Sequence, residues 1–179
     1  MDKTLQNLLH LASEGNTEHR CGALLVLGAL KLQDKSVLET AGAALDHANI
    51  VLRNYALRYF EAAQPSAGIP ILLPLICDED KEVRERAVRL LSGLGQSVVP
   101  HLIKSARGVT RIWLINAVRV LCAVRSKAAW KALLSLLSKG DAEVNKAACD
   151  CVSMVLRGMK EREQEDLHKE LQPFPCLRL

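Results

Sequence analysis

Aromatic residues are scarce: two Trp, two Tyr and two Phe make up 3% of the 179 residues. Surfaces that stack bases or sugar rings need several exposed rings, so this scarcity argues against a stacking platform. Long apolar runs are missing too. The longest, Ala23 to Leu30, falls far short of the roughly 20 residues a membrane helix needs. No signal-type apolar stretch follows Asp2 and Lys3. A strong charge of one sign is also lacking. The net charge is +4 and the sequence pI about 8.8, milder than the concentrated positive charge of most nucleic-acid binders. These absences lead to the expectation of a soluble, cytoplasmic chain.

The residues of chemistry are thinly spread. Six cysteines stand at 21, 77, 122, 149, 151 and 176, none in a Cys-x-x-Cys pair. On a helix, Cys149 and Cys151 would point about 200° apart and could not share a zinc ion. Most of the others sit in apolar stretches, such as Leu75-Ile76-Cys77 and Val120-Leu121-Cys122, and read as reduced core fillers. Cys176 is the expected exposed thiol. The five histidines, His10, His19, His47, His101 and His168, form no His-Glu dipeptide and no His-x-x-x-His pair. No glycine-rich phosphate loop occurs, and Gly93-Leu94-Gly95 reads as a helix C-cap. The expectation is no catalytic residue, no metal and no cofactor, hence no enzyme.

What the chain does have is apolar content, 49%, beside 25% charged residues, in a length suited to one domain of roughly 100–200 residues. It also has a repeat. Five segments share one frame, in which a polar residue is followed at the third position by a large one. An alanine comes four residues later, and another apolar residue four further on. The polar residues are Asn16, Asn49, Asp80, Thr110 and Asp141, and the large ones His19, Leu52, Val83, Trp113 and Val144. The alanines are Ala23, Ala56, Ala87, Ala117 and Ala148, and the closing residues Leu27, Phe60, Leu91, Leu121 and Val152. Successive frames are separated by 33, 31, 30 and 31 residues.

Each part of the frame has a physical reading. Asn, Asp and Thr favour the N-cap, where a side-chain oxygen accepts an orphan backbone N–H. Spacings of four keep the large–Ala–large set on one helical face. The alanine lets a neighbouring helix come close. A second apolar segment precedes each of these helices: Thr4–Ser13, Lys35–Asp46, Ala67–Cys77, Ser97–Ala106 and Lys127–Ser138. Each repeat is therefore predicted to be an antiparallel helix pair. Pro70 and Pro100 hold equivalent early places, where a missing N–H costs least. Beyond them, residues 159–172 are rich in Glu and Lys with Met159, Leu167 and Leu171 on one face, and predict a capping helix. An apolar tail, Pro173–Leu179, follows.

This pattern resembles the HEAT-repeat family, including its bacterial HEAT-like group. The stretch from Ala67 to Leu91 carries the family's proline, its loop Asp at Asp78 and its Val-Arg-x-x-Ala signature at Val83, Arg84 and Ala87. The family's arginine is present as Arg20, Arg53 and Arg84 but is replaced by Leu114 and Asn145, and His19 replaces an aliphatic residue. The resemblance covers about residues 3–158. It implies an all-α superhelix, a right-handed solenoid of five helix pairs plus a C-terminal helix. The repeats fall at about 3–31, 34–63, 66–95, 96–125 and 126–158, with the capping helix and tail at 159–179. It also implies that the second helices line a concave face, and that Arg20, Arg53 and Arg84 form a structural ladder with loop acids, Asp46 and Asp78 here.

Positions two after each alanine point about 200° from the buried face. They are Leu25, Arg58, Arg89, Arg119 and Asp150, with Asn54, Tyr55, Glu85, Arg86, Ile115, Asn116 and Lys146 as neighbours. Arginine offers a rigid donor fork for carboxylate or phosphate. The row reads either as a groove for an anionic partner or as a solvated helix face, since Arg is a good helix former. Glu85 before Arg89 and Glu61 after Arg58 would supply supporting ion pairs. The groove reading assigns partner binding to Arg58, Arg89, Arg119, Tyr55, Arg86, Asn116 and Leu25.

The resulting functional expectation is a non-catalytic scaffold that binds another protein, one with an acidic surface. Nucleic-acid binding through the Arg row is the rival. Relatives of phycobilin lyases resemble the repeat, but no bilin site is marked. The di-iron hydroxylases with HEAT-like repeats need His-Glu pairs that are missing. The HEAT-like alkylpurine DNA glycosylases present Trp and Asp on a basic surface, whereas Trp113 lies in the buried register here. No membrane contact and no small-molecule substrate is inferred.

Overall fold

The computed structural model describes residues 3–137, 142–157 and 165. The expected cap Asp141, His168, Cys176 and, apart from Glu165, the expected helix and tail of residues 159–179 lie outside them. The described residues are all-α, with no strand among them. In chain order the helices are α1 Lys3–Glu14, α2 Thr17–Ala29, α3 Lys35–Leu45, α4 Ile50–Ala63 and α5 Ile69–Leu72. They continue as α6 Lys81–Gly93, α7 Val98–Ser105, α8 Arg111–Val124, α9 Lys127–Leu137 and α10 Ala142–Leu156. They form the expected five pairs, each a shorter or less regular helix followed by a longer one. No helix among the described residues is long and apolar enough to cross a membrane.

The frame residues do what their chemistry requires. The side chain of Asn16 accepts from the His19 N–H at 2.9 Å, and Asn49 accepts from Val51 at 2.9 Å. Asp80 accepts from Val83 at 3.0 Å, and Thr110 from Trp113 at 3.3 Å. All five frame alanines are buried, as are the closing residues Leu27, Phe60, Leu91, Leu121 and Val152. Leu52, Val83, Trp113 and Val144 are buried as well, while His19, in the terminal repeat, is exposed.

The chain divides into two compact units, Met1–Leu90 and Leu91–Leu179, with the division inside α6. In the first, α2 packs along α4, and α1 along α3. A Cβ placed on Gly28 would stand 3.0 Å from the Tyr59 Cα, so the α2–α4 contact requires a residue without a side chain. The ends of the first two repeats are tied by hydrogen bonds. The Tyr59 hydroxyl donates to the Leu32 carbonyl at 2.7 Å, and the Gln33 amide donates to the Ala63 carbonyl at 2.6 Å. Tyr59 is fully buried, and its pKa is pushed up to about 12, chiefly by that burial and secondarily by Asp34.

The first helix of the third repeat corrects the expectation of one continuous helix over Ala67–Cys77. Only Ile69–Leu72 is α-helical. A 3-10 turn, Ser66–Gly68, precedes it, and a 3-10 stretch, Leu73–Cys77, follows. Pro74 is the cause: it has no N–H to give, and its ring collides with the carbonyl four residues back. The tighter 3-10 ladder accommodates it.

In the second unit, α8 packs against α10 and α9, and α7 against α9. Ala117 and Ala148 sit fully buried on the helices α8 and α10. Both tryptophans are buried: Trp113 is 6% exposed and Trp130 5%, so neither presents a ring to a ligand.

The helix ends share a feature that residue type conceals. Lys31, Gln64, Gly95 and Arg125 all have positive φ, at 52°, 46°, 64° and 50°. Each stands eight residues after its repeat's alanine. A left-handed residue at this place ends the second helix in four consecutive repeats, and only one of the four is glycine.

Candidate partner-binding face

In the first unit the second helices carry two kinds of arginine, separated by only a few residues. Arg53 and Arg84 turn toward the turns at the helix starts. The Arg53 side chain is 8% exposed and lies against Asp78, itself 10% exposed, with Nε 3.4 Å from the carboxylate. Arg53 also donates to the carbonyls of His47 and Ala48 at 3.1 and 3.2 Å. Arg84 donates to the carbonyls of Asp78 and Glu79. Arg20 donates to the Ala12 carbonyl at 3.1 Å. Asp78 in turn accepts from the Asp80 N–H at 2.8 Å, which fixes the turn. Of the expected ladder only the Arg53 rung pairs with the loop acid Asp78, while Arg20 and Arg84 bond backbone carbonyls. Asp46 is exposed, and in its place the neighbouring carbonyls of His47 and Ala48 receive Arg53.

The outward row is built differently. Arg58 on α4 is exposed, and its guanidinium carbon lies 5.0 Å from the centre of the half-buried Tyr55 ring. Such stacking holds the charge in place without consuming its donors. Arg89 on α6 is exposed, and Leu25 on α2 is 40% exposed.

Two of the residues assigned to partner binding belong to the fold. Arg86 is half-buried and grips Glu61 across the α4–α6 contact, Nε to Oε1 at 3.2 Å and Nη2 to Oε2 at 2.8 Å. Its Nη1 also reaches the Asn54 side chain at 2.9 Å. Glu61 was expected to support Arg58 within one helix. A bidentate fork across two helices is the stronger use of a carboxylate. Asn116, in the second unit, is only 6% exposed and accepts from Arg119 Nη1 at 3.1 Å. It orients Arg119, which is half-buried, and offers little to a partner. Asp150 and Lys146 on α10 are exposed.

Among the described residues no group of three His, Cys, Asp or Glu side chains is placed to hold a metal ion. The residues that meet in the first unit are Tyr55 and Arg58, with Arg89 and Leu25 on the helices that flank α4. The link from Arg86 to Glu61 was hidden in the sequence because the two are 25 residues apart. Only the repeat period, which places α4 beside α6, could have exposed it.

A family model for HEAT repeats matches residues 38–115. No curated protein matches the chain. Among solved structures the chain is similar to the crystal structure of an engineered protein, with a TM-score of 0.51 and 13% identity over 99% of this chain and 98% of that one. The crystal structure of a second engineered protein gives a TM-score of 0.49 and 16% identity over 97% of this chain and 91% of that one. At 13% identity the first likeness concerns the fold alone, an all-α helical solenoid. The Asn49-, Asp80- and Thr110-capped helices begin, and the Arg53–Asp78 pair lies, inside residues 38–115, the segment that the HEAT-repeat model matches.

Proposed function

We propose that this helical-repeat scaffold is non-catalytic and binds an acidic segment of another protein along the outward side of its second helices. Arg58, stacked on Tyr55, is the anchor, with Arg89 and Leu25 on the helices that flank α4. The observation that supports this most is the split among the arginines. Arg20, Arg53, Arg84 and Arg86 are committed to backbone carbonyls or acids of the fold, while Arg58 is exposed with its guanidinium held over a ring. A charge already held in one orientation loses less conformational freedom on binding. Arg also suits carboxylates through its planar fork. The described cysteines are all thiols, which fits a reducing, cytoplasmic setting.

Titration with a fluorescent oligoglutamate peptide and, separately, with an oligonucleotide of equal charge tests this. The peptide is expected to bind, and Arg58→Glu with Arg89→Glu to abolish binding while helix content and unfolding midpoint stay put. Equal binding by the double variant would overturn the assignment of the face. Tighter binding of the oligonucleotide, with a salt slope near 0.9 per contacted phosphate, would replace the acidic protein by nucleic acid.

A further inference from the structure

At the turns of the first unit an open cavity of about 410 Å³ lies between the α3–α4 turn and the turn that leads into α6. Leu45 and Ala48 line it from the first of these segments, Pro74 and Leu75 from the second. Its charged lining is Asp46, Asp78, Glu79 and Arg53, three carboxylates against one guanidinium. Arg84 bonds the carbonyls of Asp78 and Glu79 and does not line the cavity. His47 lines it but adds no charge in this arrangement, because its Nδ1 accepts the Asn49 N–H at 2.9 Å, as an uncharged ring does.

One oxygen makes this more than an acidic patch. The Asp78 side chain is only 10% exposed. Its Oδ1 accepts from the Asp80 N–H at 2.8 Å and from Arg53 Nη2 at 3.4 Å. Its Oδ2 accepts no hydrogen bond. Arg53 Nε stands 3.4 Å away, but its N–H is directed at no acceptor. A buried carboxylate oxygen without a donor forfeits the hydrogen bonds it has in water, so a donor that enters the cavity gains a ready acceptor. We propose that this cavity binds an alkylammonium group, the head of a lysine side chain or of a free amine, with its nitrogen on Asp78 Oδ2 and its stem against Leu45, Pro74 and Leu75.

Each property of the cavity selects that class. The excess of carboxylates repels anions. Among the described residues no three acids, histidines or cysteines are placed to hold a metal ion, so a bare divalent cation finds no coordination shell. An ammonium needs only one close acceptor. It gives Asp78 Oδ2 a charge-assisted bond of about 2.7–2.9 Å, while Asp46 and Glu79, both exposed, attract it from the rim. A guanidinium fork asks for both oxygens of a carboxylate, and Asp78 Oδ1 is already engaged. The apolar walls suit the methylenes that lysine buries behind its charge. This site is separate from the Arg58 face and takes the opposite charge.

Nuclear magnetic resonance of the full chain, labelled at its backbone amides, tests this. The cationic ligands are Nα-acetyl-lysine methylamide and putrescine. Nα-acetyl-norleucine methylamide, with a similar apolar stem and no charge, is the control. Saturable shifts are expected at residues 45–48 and 75–80 with both cations and not with the control. Tighter binding of the lysine compound assigns the site to a protein side chain, and tighter binding of putrescine to a free amine; either supports it. Asp46→Asn with Glu79→Gln should weaken binding severalfold. Glu18→Gln with Glu39→Gln, equal in charge and outside the cavity, should leave it unchanged. Asp78→Asn should abolish binding with helix content retained, and if that variant unfolds the rim pair alone decides. The proposal is overturned if those residues show no saturable shift, if the norleucine compound shifts them equally, or if both double variants weaken binding to the same degree.

Discussion

The Arg86 guanidinium closes on the Glu61 carboxylate with two parallel bonds, at 3.2 and 2.8 Å, and so bolts α6 to α4. Three residues further along α6, Arg89 is exposed. Sequence spacing alone treats the two as neighbours on one basic face, whereas their energetic roles differ. Arg86→Ala is expected to lower unfolding free energy by about 1–2 kcal/mol, since charged hydrogen bonds contribute about 1.5–3 kcal/mol and Glu61 is partly solvated. Arg89→Ala should stay within about 0.5 kcal/mol of wild type. Urea denaturation of both single variants measures the difference.

Asp78 is the acid at which repeats two and three meet. It faces Arg53 with both side chains about nine-tenths buried, and its oxygen also fixes the Asp80 turn. Removing one partner of a buried pair leaves the other charge uncompensated and typically costs about 3–5 kcal/mol. Asp78→Ala should therefore be among the most destabilising single changes in the first unit. Glu79→Ala, whose carboxylate is 87% exposed at 3.6 Å from Arg53, should cost less than about 1 kcal/mol.

Much of this architecture was legible because each frame residue performs a local task that its chemistry alone determines. Asn49 caps a helix, Ala56 admits a neighbouring helix and Phe60 fills the space beyond, and all three recur with one period. The turn acid at Asp78 was legible through the resemblance to the HEAT-repeat family. Three things were not. The 3-10 stretch at Leu73–Cys77 follows from Pro74 competing with a helical pattern that is otherwise intact. Arg86 is drawn in by Glu61 on the adjacent helix, and Asn116 is buried on α8, where Arg119 of the same helix bonds it. The left-handed residues at 31, 64, 95 and 125 share a backbone conformation but no residue type, so only the coordinates reveal the period.

Those helix ends give a simple stability forecast. A non-glycine residue in the left-handed region costs roughly 1 kcal/mol relative to glycine, which adopts it freely. Gln64→Gly and Arg125→Gly should each raise the unfolding free energy by about 0.5–1 kcal/mol. Gly95→Ala should lower it by a similar amount, because a Cβ there has open space but the wrong backbone angle. Thermal and urea unfolding of the three variants checks the signs.

Tyr59 sets an alkaline limit. Its pKa is raised to about 12 in the fold, against an unfolded value near 10. Below pH 10 both states keep the proton and its stabilisation is intact. Between about pH 10 and 12 the unfolded chain loses the proton while the folded one retains it, so stability falls, by about 2–3 kcal/mol at most. The Tyr55→Phe variant contains Tyr59 as its sole tyrosine. Its ultraviolet absorbance titration should show tyrosinate appearing near pH 12 when folded. In Tyr59→Phe that component of the alkaline loss of stability should disappear.

The division of the arginines into those that hold the fold and those that face outward is tested most directly by two matched double variants. Arg53→Glu with Arg84→Glu, and Arg58→Glu with Arg89→Glu, change the net charge equally and lie on the same two helices, so only local surroundings distinguish them. Arg119 is left intact because it also holds Asn116. In urea denaturation monitored by circular dichroism, the 53/84 variant should lose several kcal/mol of stability or fail to fold, with buried Glu facing Asp78. The 58/89 variant should move by less than about 1 kcal/mol. Equal losses in the two variants, or a larger loss in the 58/89 variant, would contradict the assignment.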